Sequence, residues 1–198
     1  MQRLTVHLAI MTGAILIGGR STRFGKDKVL VPYRGRTLVE HVAAVIAPLF
    51  DEVILVGHPR QGLEGFRVVE DLLEGYGPLG GIYTALSATG AECCFVCAAD
   101  MPNLSRSFIE AMISLAGGHD IVMPLWSRGR EPLHAIYRNT VVPHARGLLE
   151  AGNRRVFSLT ERVGTFFVTE DIIRQHGDPE LMFSNINTVT DLERMGGG

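Results

Sequence analysis

Cysteine is scarce in this chain, and its three copies, Cys93, Cys94 and Cys97, fall within a five-residue stretch. An odd, local set of thiols builds no disulfide framework and points to a reducing compartment, the cytoplasm. Cys94 and Cys97 formally match C-x-x-C, but they lie in an apolar run whose side chains should alternate, so residues three apart diverge and no shared metal is expected. Long hydrophobic runs are also missing. The most apolar amino-terminal stretch, Leu8 to Ile17, is interrupted by Thr12 and Gly13, and it falls short of the roughly 20 residues that a membrane span needs. Neither a signal peptide nor a membrane anchor is expected.

A large excess of either charge is missing as well. The formal net charge of −2 gives no general attraction for nucleic acid or anionic lipid, which leaves small anions at local basic clusters. Internal repeats and low-complexity linkers are absent. A length of 198 residues with 46% apolar content suits one globular domain over residues 1–198. Residues 1–10 read as a possible extra amino-terminal segment, with Met11 as an alternative start, and residues 194–198 as a frayed, glycine-rich tail.

Short β-branched runs recur with helical stretches between them. Strands are expected at Ala14–Ile17, Val53–Val56, Arg67–Val69, Cys94–Cys97 and Ile121–Met123, then at Leu133–Tyr137 and Thr165–Val168. Three of the first four are continuously apolar, which suits central strands covered on both faces. Thr37 and Glu40 have capping-box spacing ahead of Leu38, Val42, Val45 and Ile46, and Pro48 should stop that helix. A second helix should follow Leu79. Ser107 and Glu110 should open a third, which Gly117-Gly118 closes. Further helices are expected near 140–150, 154–162 and 188–195. The pattern predicts a three-layer α/β sandwich around a mostly parallel, Rossmann-like sheet.

Directly after the first strand comes Gly18-Gly19-Arg20-Ser21-Thr22-Arg23-Phe24-Gly25-Lys26-Asp27-Lys28. Open α/β sheets bind ligands at the carboxyl ends of their strands, so the position alone marks a candidate site. Glycines let backbone N–H groups approach a phosphate, and Arg23 and Lys28 can neutralise triphosphate charge. From Arg20 to Arg36 there are six basic residues against the single acid Asp27. A P-loop is excluded, because five residues rather than four separate Gly19 from Gly25 and Asp27 takes the Ser/Thr position. G-x-G-x-x-G is absent too, so the dinucleotide fingerprint fails.

Two further acids fall at expected strand ends. Val69-Glu70-Asp71 closes the third strand ahead of Gly77-Pro78-Leu79-Gly80-Gly81, which reads as a second glycine-rich turn before a helix. Cys97-Ala98-Ala99-Asp100-Met101-Pro102 closes the fourth. A triphosphate site needs a hard cation, and magnesium commonly takes one or two carboxylates plus phosphate and water, so Asp100 is the expected metal ligand. Late in the chain, Asn185 and Asn187 would share a face if Asn185-Ile186-Asn187-Thr188 is extended.

Together these segments resemble the nucleotidyltransferase superfamily. The Gly18-Gly19 pair with Asp27-Lys28 is most similar to the molybdenum cofactor guanylyltransferases of the MobA type. The resemblance covers residues 13 to about 193. It implies that Leu16, Ile17, Gly18, Gly19 and Lys28 bind GTP and that Arg23 is the loop arginine. It also implies that Asp71, Gly80 and Gly81 line the nucleotide site, and that Asp100 in its Asp-x-Pro segment holds Mg2+. Asn185 and Asn187 match an Asn-x-Asn-Thr segment. The segments Arg130–His134 and Gly152–Val156 look like acceptor-side elements, with His134, Arg154 and Arg155 as candidates. Where some members carry an asparagine at the end of the second strand, this chain reads Leu55-Val56-Gly57-His58.

The implied reaction joins GMP from GTP to the terminal phosphate of molybdopterin or the molybdenum cofactor, with release of pyrophosphate. Catalysis would rest on Arg23, Lys28 and Asp100, and transient contact with cofactor-delivering or molybdoenzyme-assembly proteins would follow. Two other readings stay open at this point. One is a cytidylyltransferase acting on molybdopterin or on a sugar or alcohol phosphate, and the other is a non-catalytic nucleotide-binding regulator or adaptor.

Overall fold

A computed structural model of the chain describes residues 11–18 and 27–196. The expected Arg23 and Gly19, with residues 1–10, lie outside the described residues. The order begins with β1 (Met11–Leu16), β2 (Pro32–Tyr33), β3 (Arg36–Thr37), α1 (Leu38–Ile46), β4 (Glu52–Val56), β5 (Arg67–Val69), α2 (Gly77–Thr89) and β6 (Cys93–Ala98). It continues with α3 (Arg106–Leu115), β7 (Ile121–Trp126), β8 (Gly129–Arg130), β9 (His134–Arg138), α4 (Val142–Glu150), α5 (Val156–Thr160), β10 (Thr165–Thr169), α6 (Glu170–Arg174), α7 (Pro179–Met182) and α8 (Val189–Arg194).

The main sheet runs β10-β7-β9-β6-β1-β4-β5, with β8 paired to β7. β1 pairs parallel with both β4 and β6, β4 with β5, and β7 with β10, whereas β9 runs antiparallel between β6 and β7. After β1 the chain builds outward to β4 and β5, then returns to place β6 on β1's other side. That reversal opens a crevice at the carboxyl ends of β1 and β6.

The two faces are buried by different helices, which makes three layers. α1 and α3 bring Val39, Val42, Ile46, Phe108 and Met112 to one face, against Ile15, Leu55, Phe95 and Cys97. α2, α4 and α5 bring Leu79, Ile82, Leu148 and Leu159 to the other, against Ala14, Ile54, Cys94 and Val96. Strand alternation thus sends Cys94 and Cys97 to opposite cores, and both are free thiols. Burial pushes the Cys94 thiol up to about 11, and that of Cys97 further still.

Local chemistry sets most element ends. Thr37 caps α1 with a reciprocal box: its side chain accepts from the Glu40 N–H at 3.3 Å, and the Glu40 carboxylate accepts from the Thr37 N–H at 2.7 Å. Pro48 falls in a 3-10 turn, Ala47–Leu49, that follows the helix. Two expectations need correction. The cap of α3 is Ser105, which accepts from the Phe108 N–H at 3.4 Å, while Glu110 pairs along the helix with Arg106. Gly77-Pro78-Leu79-Gly80-Gly81 is the start of α2 itself, not a turn before it. Proline suits that position because its missing N–H would have no helical partner there.

Candidate functional site

A cavity of about 860 Å³ occupies the crevice at the carboxyl ends of β1 and β6. Leu16, Ile17 and Gly18 enter it from β1, Asp27 and Lys28 from the far end of the glycine-rich segment, and Asp100 from the end of β6. Asp71, Gly81, Asn185 and Asn187 complete the sequence-derived part of its wall. Residues from widely separated stretches of the chain are thus brought to one rim by the strand order.

Lys28 stands at the centre of the polar part. It opens a 3-10 turn, Lys28–Leu30, whose amino end is capped by Asp27 through the Val29 N–H. Its ammonium donates to Asp100 Oδ2 at 2.7 Å and to Asn187 Oδ1 at 3.0 Å. Side-chain exposures of 15% for Lys28 and 28% for Asp100 put the pair below the solvent-screened surface class. Asn187 is held there by the backbone, because the Ile186 N–H donates to the Asp100 carbonyl at 2.9 Å. Ile186 is fully buried beside Val31, Tyr33 and Leu38. Its neighbours two apart, Asn185 and Asn187, therefore turn together to the cavity, as an extended segment requires. The helix that follows is capped by Thr188 and Asp191 instead.

The donor set fits a hard divalent cation. A carboxylate and an amide oxygen converge on one positive charge, the Lys28 ammonium. Among the described residues no three His, Cys, Asp or Glu side chains gather as a metal cluster. A cation held by Asp100 and Asn187 would complete its shell with phosphate oxygens and water, the usual arrangement for magnesium.

Across the cavity, Asp71 faces Gly18, where an added Cβ would lie 3.6 Å from Asp71 Oδ2. Burial raises the Asp71 carboxyl above the ordinary carboxylate range, more than His58 lowers it. Gly81 lets α2 lie against β1, since a Cβ there would come within 2.9 Å of Leu16 Cδ1. Gly80 packs one residue away from the wall, under Tyr76 and the Leu73 carbonyl.

The acceptor-side candidates separate. Arg154 reaches the rim: it donates to the Gly75 carbonyl at 3.0 Å, and its guanidinium lies 4.8 Å from the centroid of the Tyr76 ring. Arg155 is an exposed residue at the start of α5. His134 does not face the cavity. It is fully buried among Phe95, Phe108 and Phe183, so its ring is closed to a ligand. As the first residue of β9 it points into the core, and the residues of its segment that meet the cavity are Glu131, Pro132 and Leu133, of which only Glu131 is charged. Burial raises the Glu131 carboxyl, and the Trp126 indole N–H donates to it at 2.8 Å. The sequence marked the segment but not this side chain. It also gave no sign of Arg60, whose guanidinium bridges Asp27 at 2.6 Å and the Ile17 carbonyl at 3.0 Å.

Comparison with known proteins agrees with this fold. Residues 13–164 match the MobA-like NTP transferase domain. A Pelotomaculum thermopropionicum protein named a probable molybdenum cofactor guanylyltransferase is 36% identical over 183 residues, covering 91% of this chain and 89% of that one. A Methanosarcina mazei protein of the same name is 36% identical over 197 residues, covering 91% and 88%. Among solved structures, molybdopterin-guanine dinucleotide biosynthesis protein A of Archaeoglobus fulgidus superposes with a TM-score of 0.80 at 27% identity, covering 94% of this chain and 97% of that one. A Mycobacterium tuberculosis protein solved as a manganese complex shares the fold at 21% identity and a TM-score of 0.66, with 96% and 99% covered. The chain belongs to the MobA-like NTP transferase domain family and is a nucleotidyltransferase.

Proposed function

We propose that the chain transfers the guanylyl group of GTP to the terminal phosphate of molybdopterin or the molybdenum cofactor, in the cytoplasm and with Mg2+. The observation that carries this reading is the convergence of Lys28, Asp100 and Asn187 at the switch point of the sheet, facing Gly18 and Asp71 across one cavity. The names of the relatives favour GTP and molybdopterin over the cytidylyl alternative. Among the described residues no helix is long and apolar enough to cross a membrane.

In this reaction an oxygen of the acceptor's terminal phosphate forms a bond to the α-phosphorus of GTP, and the α–β anhydride bond breaks to release pyrophosphate. The attacking oxygen is already anionic, so no strong general base is needed and alignment with charge neutralisation is the task of the protein. Gly18 offers backbone without a side chain beside the triphosphate, and the Lys28 ammonium balances charge that grows on the transferring and leaving phosphates. Asp100 and Asn187 would hold the divalent ion, which when bound supplies Lewis-acid neutralisation of phosphate oxygens. Arg154 and Glu131 lie toward the acceptor's end, where a cation suits the phosphate and a half-buried carboxylate suits N–H donors.

The deciding assay is pyrophosphate release with GTP, Mg2+ and molybdopterin. Saturable GTP binding without release would favour a silent binder, and stronger stabilisation by CTP than by GTP would favour the cytidylyl alternative. Lys28→Ala should lower turnover by roughly 10²–10³, the range for one preorganised donor. An unchanged rate would remove Lys28 from the mechanism. Asp100→Ala should abolish metal-dependent turnover with the fold retained, because the side chain stands at the sheet rim and not in the core.

A further inference from the structure

Arg60 lies on the turn after β4, and the sequence assigned it no role. Its guanidinium makes three hydrogen bonds. Nε donates to the His58 carbonyl at 3.1 Å, Nη2 to the Ile17 carbonyl at 3.0 Å, and Nη1 to Asp27 Oδ2 at 2.6 Å. Ile17 immediately precedes the glycine-rich segment and Asp27 ends it, so one side chain joins both ends of that segment. The planar fork presents Nε, Nη1 and Nη2 to these three acceptors in fixed directions, a geometry that a lysine ammonium does not reproduce.

The contact continues toward the chemistry. Asp27 uses Oδ2 for Arg60 and Oδ1 for the Val29 N–H at 3.3 Å, which caps the 3-10 turn that begins with Lys28. The Leu30 and Val31 amides close that turn on the Asp27 and Lys28 carbonyls. Lys28 then projects to Asp100 and Asn187. The residue chain Arg60, Asp27, Val29 turn, Lys28 is unbroken. Asp27 borders the cavity, while Arg60 stands behind it with a side chain 24% exposed.

The turn that carries Arg60 is itself pressed onto the segment's entry. The Ile17 N–H donates to the Val56 carbonyl at 2.9 Å. At Gly57, with φ of 142°, an added Cβ would lie 2.9 Å from Ile17 Cγ1 and 3.1 Å from the Gly18 nitrogen. Backbone contact at this point holds the turn that carries Arg60 against the entry of the segment.

We propose that Arg60 is a positioning residue: it staples the two ends of the nucleotide segment and, through Asp27, sets where the Lys28 ammonium stands. On this assignment Asp27 is an anchor for the turn, not a metal ligand or a base. The inference rests on reading the cavity as the nucleotide site, so its test needs one measurement that requires no substrate.

That measurement is amide hydrogen exchange of the ligand-free full chain, with wild type compared to Arg60→Ala, Arg60→Lys, Asp27→Ala and the Arg60→Ala/Asp27→Ala double variant. In Arg60→Ala the amides of Val29 to Val31 should exchange roughly tenfold faster, with those of α1 and β1 unchanged. In parallel, kcat/KM for GTP should fall on the order of 10–100-fold, with the KM of the acceptor unchanged. Arg60→Lys should recover only part of the loss. The double variant should be no worse than Asp27→Ala, because Arg60 acts on the turn through Asp27.

Wild-type exchange at Val29 to Val31 in Arg60→Ala, additive losses in the double variant, or full activity of Arg60→Lys would each overturn the staple. If Arg60→Ala loosens α1 and β1 as well, Asp27→Asn, which keeps the side-chain oxygen of the cap, takes its place in the same comparison. A wild-type protein that binds no GTP would defeat the functional reading, while the exchange result would still judge the staple.

Discussion

His134 is the residue whose chemistry fits its surroundings least. Its ring is fully buried between three phenylalanines, and among the described residues neither ring nitrogen has a hydrogen-bond partner. Burial pushes its pKa down from 6.5 to about 3. The unfolded chain therefore takes up a proton near pH 6.5 that the folded chain refuses until about pH 3, so stability is lost as pH falls through that window. His134→Phe should remove this loss. Urea unfolding at pH 7.5 and pH 5 should show the wild type losing about 2 kcal/mol more than the variant, at about 1.4 kcal/mol per pH unit. Equal losses would mean that the imidazole has a proton partner. Asp71 and Glu131 act in the opposite sense, since burial raises both and their contribution fades as pH rises. Residue type and place after apolar runs marked Lys28 and Asp100, whereas Asn185 and Asn187 were marked by the family resemblance. Neither signal could mark Arg60 or separate Glu131 from His134, since which way a side chain turns within a loop depends on what packs beneath it.

At the scale of elements, α1 was legible to its cap because its signals are local. Thr37→Ala should cost about 1 kcal/mol, the usual value of a lost N-cap, and the shift in denaturation midpoint measures it. A change within error would mean that tertiary packing alone holds the helix end. Gly57 ends β4 at a φ of 142°, against the backbone of Ile17 and Gly18. Gly57→Ala should both strain the turn and displace the entry of the nucleotide segment, so a fall in GTP affinity should accompany the loss of stability. Lost stability with intact affinity would separate the turn from the site. The elements without sequence signals are the short ones, β2, β3, β8, α6 and α7, each of five residues or fewer. A hydrophobic period cannot be read over one turn or two residues. The α3 cap was displaced by two positions for a related reason: Ser105 and Ser107 are both plausible caps, and the burial of Phe108 decides between them.

At the scale of the whole molecule, the site joins residues that are remote in the chain: Lys28 and Asn187 stand 159 positions apart. Binding that requires the assembled rim should therefore stabilise the whole fold. GTP with Mg2+ at about 100 times the dissociation constant should add about 2.7 kcal/mol. For a chain of this size that is a rise in Tm of roughly 5–10 °C. Chelation should abolish the metal-dependent part, and Asp100→Ala should lack it from the start. An equal shift in that variant would move the cation away from Asp100.

The sequence by itself determined the layered α/β class, the strand–helix alternation, the glycine-rich segment after β1, and the family, because apolar period, caps and loop glycines act over a few residues. Tertiary structure alone decided that β9 runs antiparallel between β6 and β7, that Asn187 and Asp100 meet at Lys28, that Arg60 bonds to both Ile17 and Asp27, and that His134 belongs to the core. The physical reason is one of range. Strand order and side-chain direction are settled by packing between segments far apart in the chain, and no local pattern records which of them will meet.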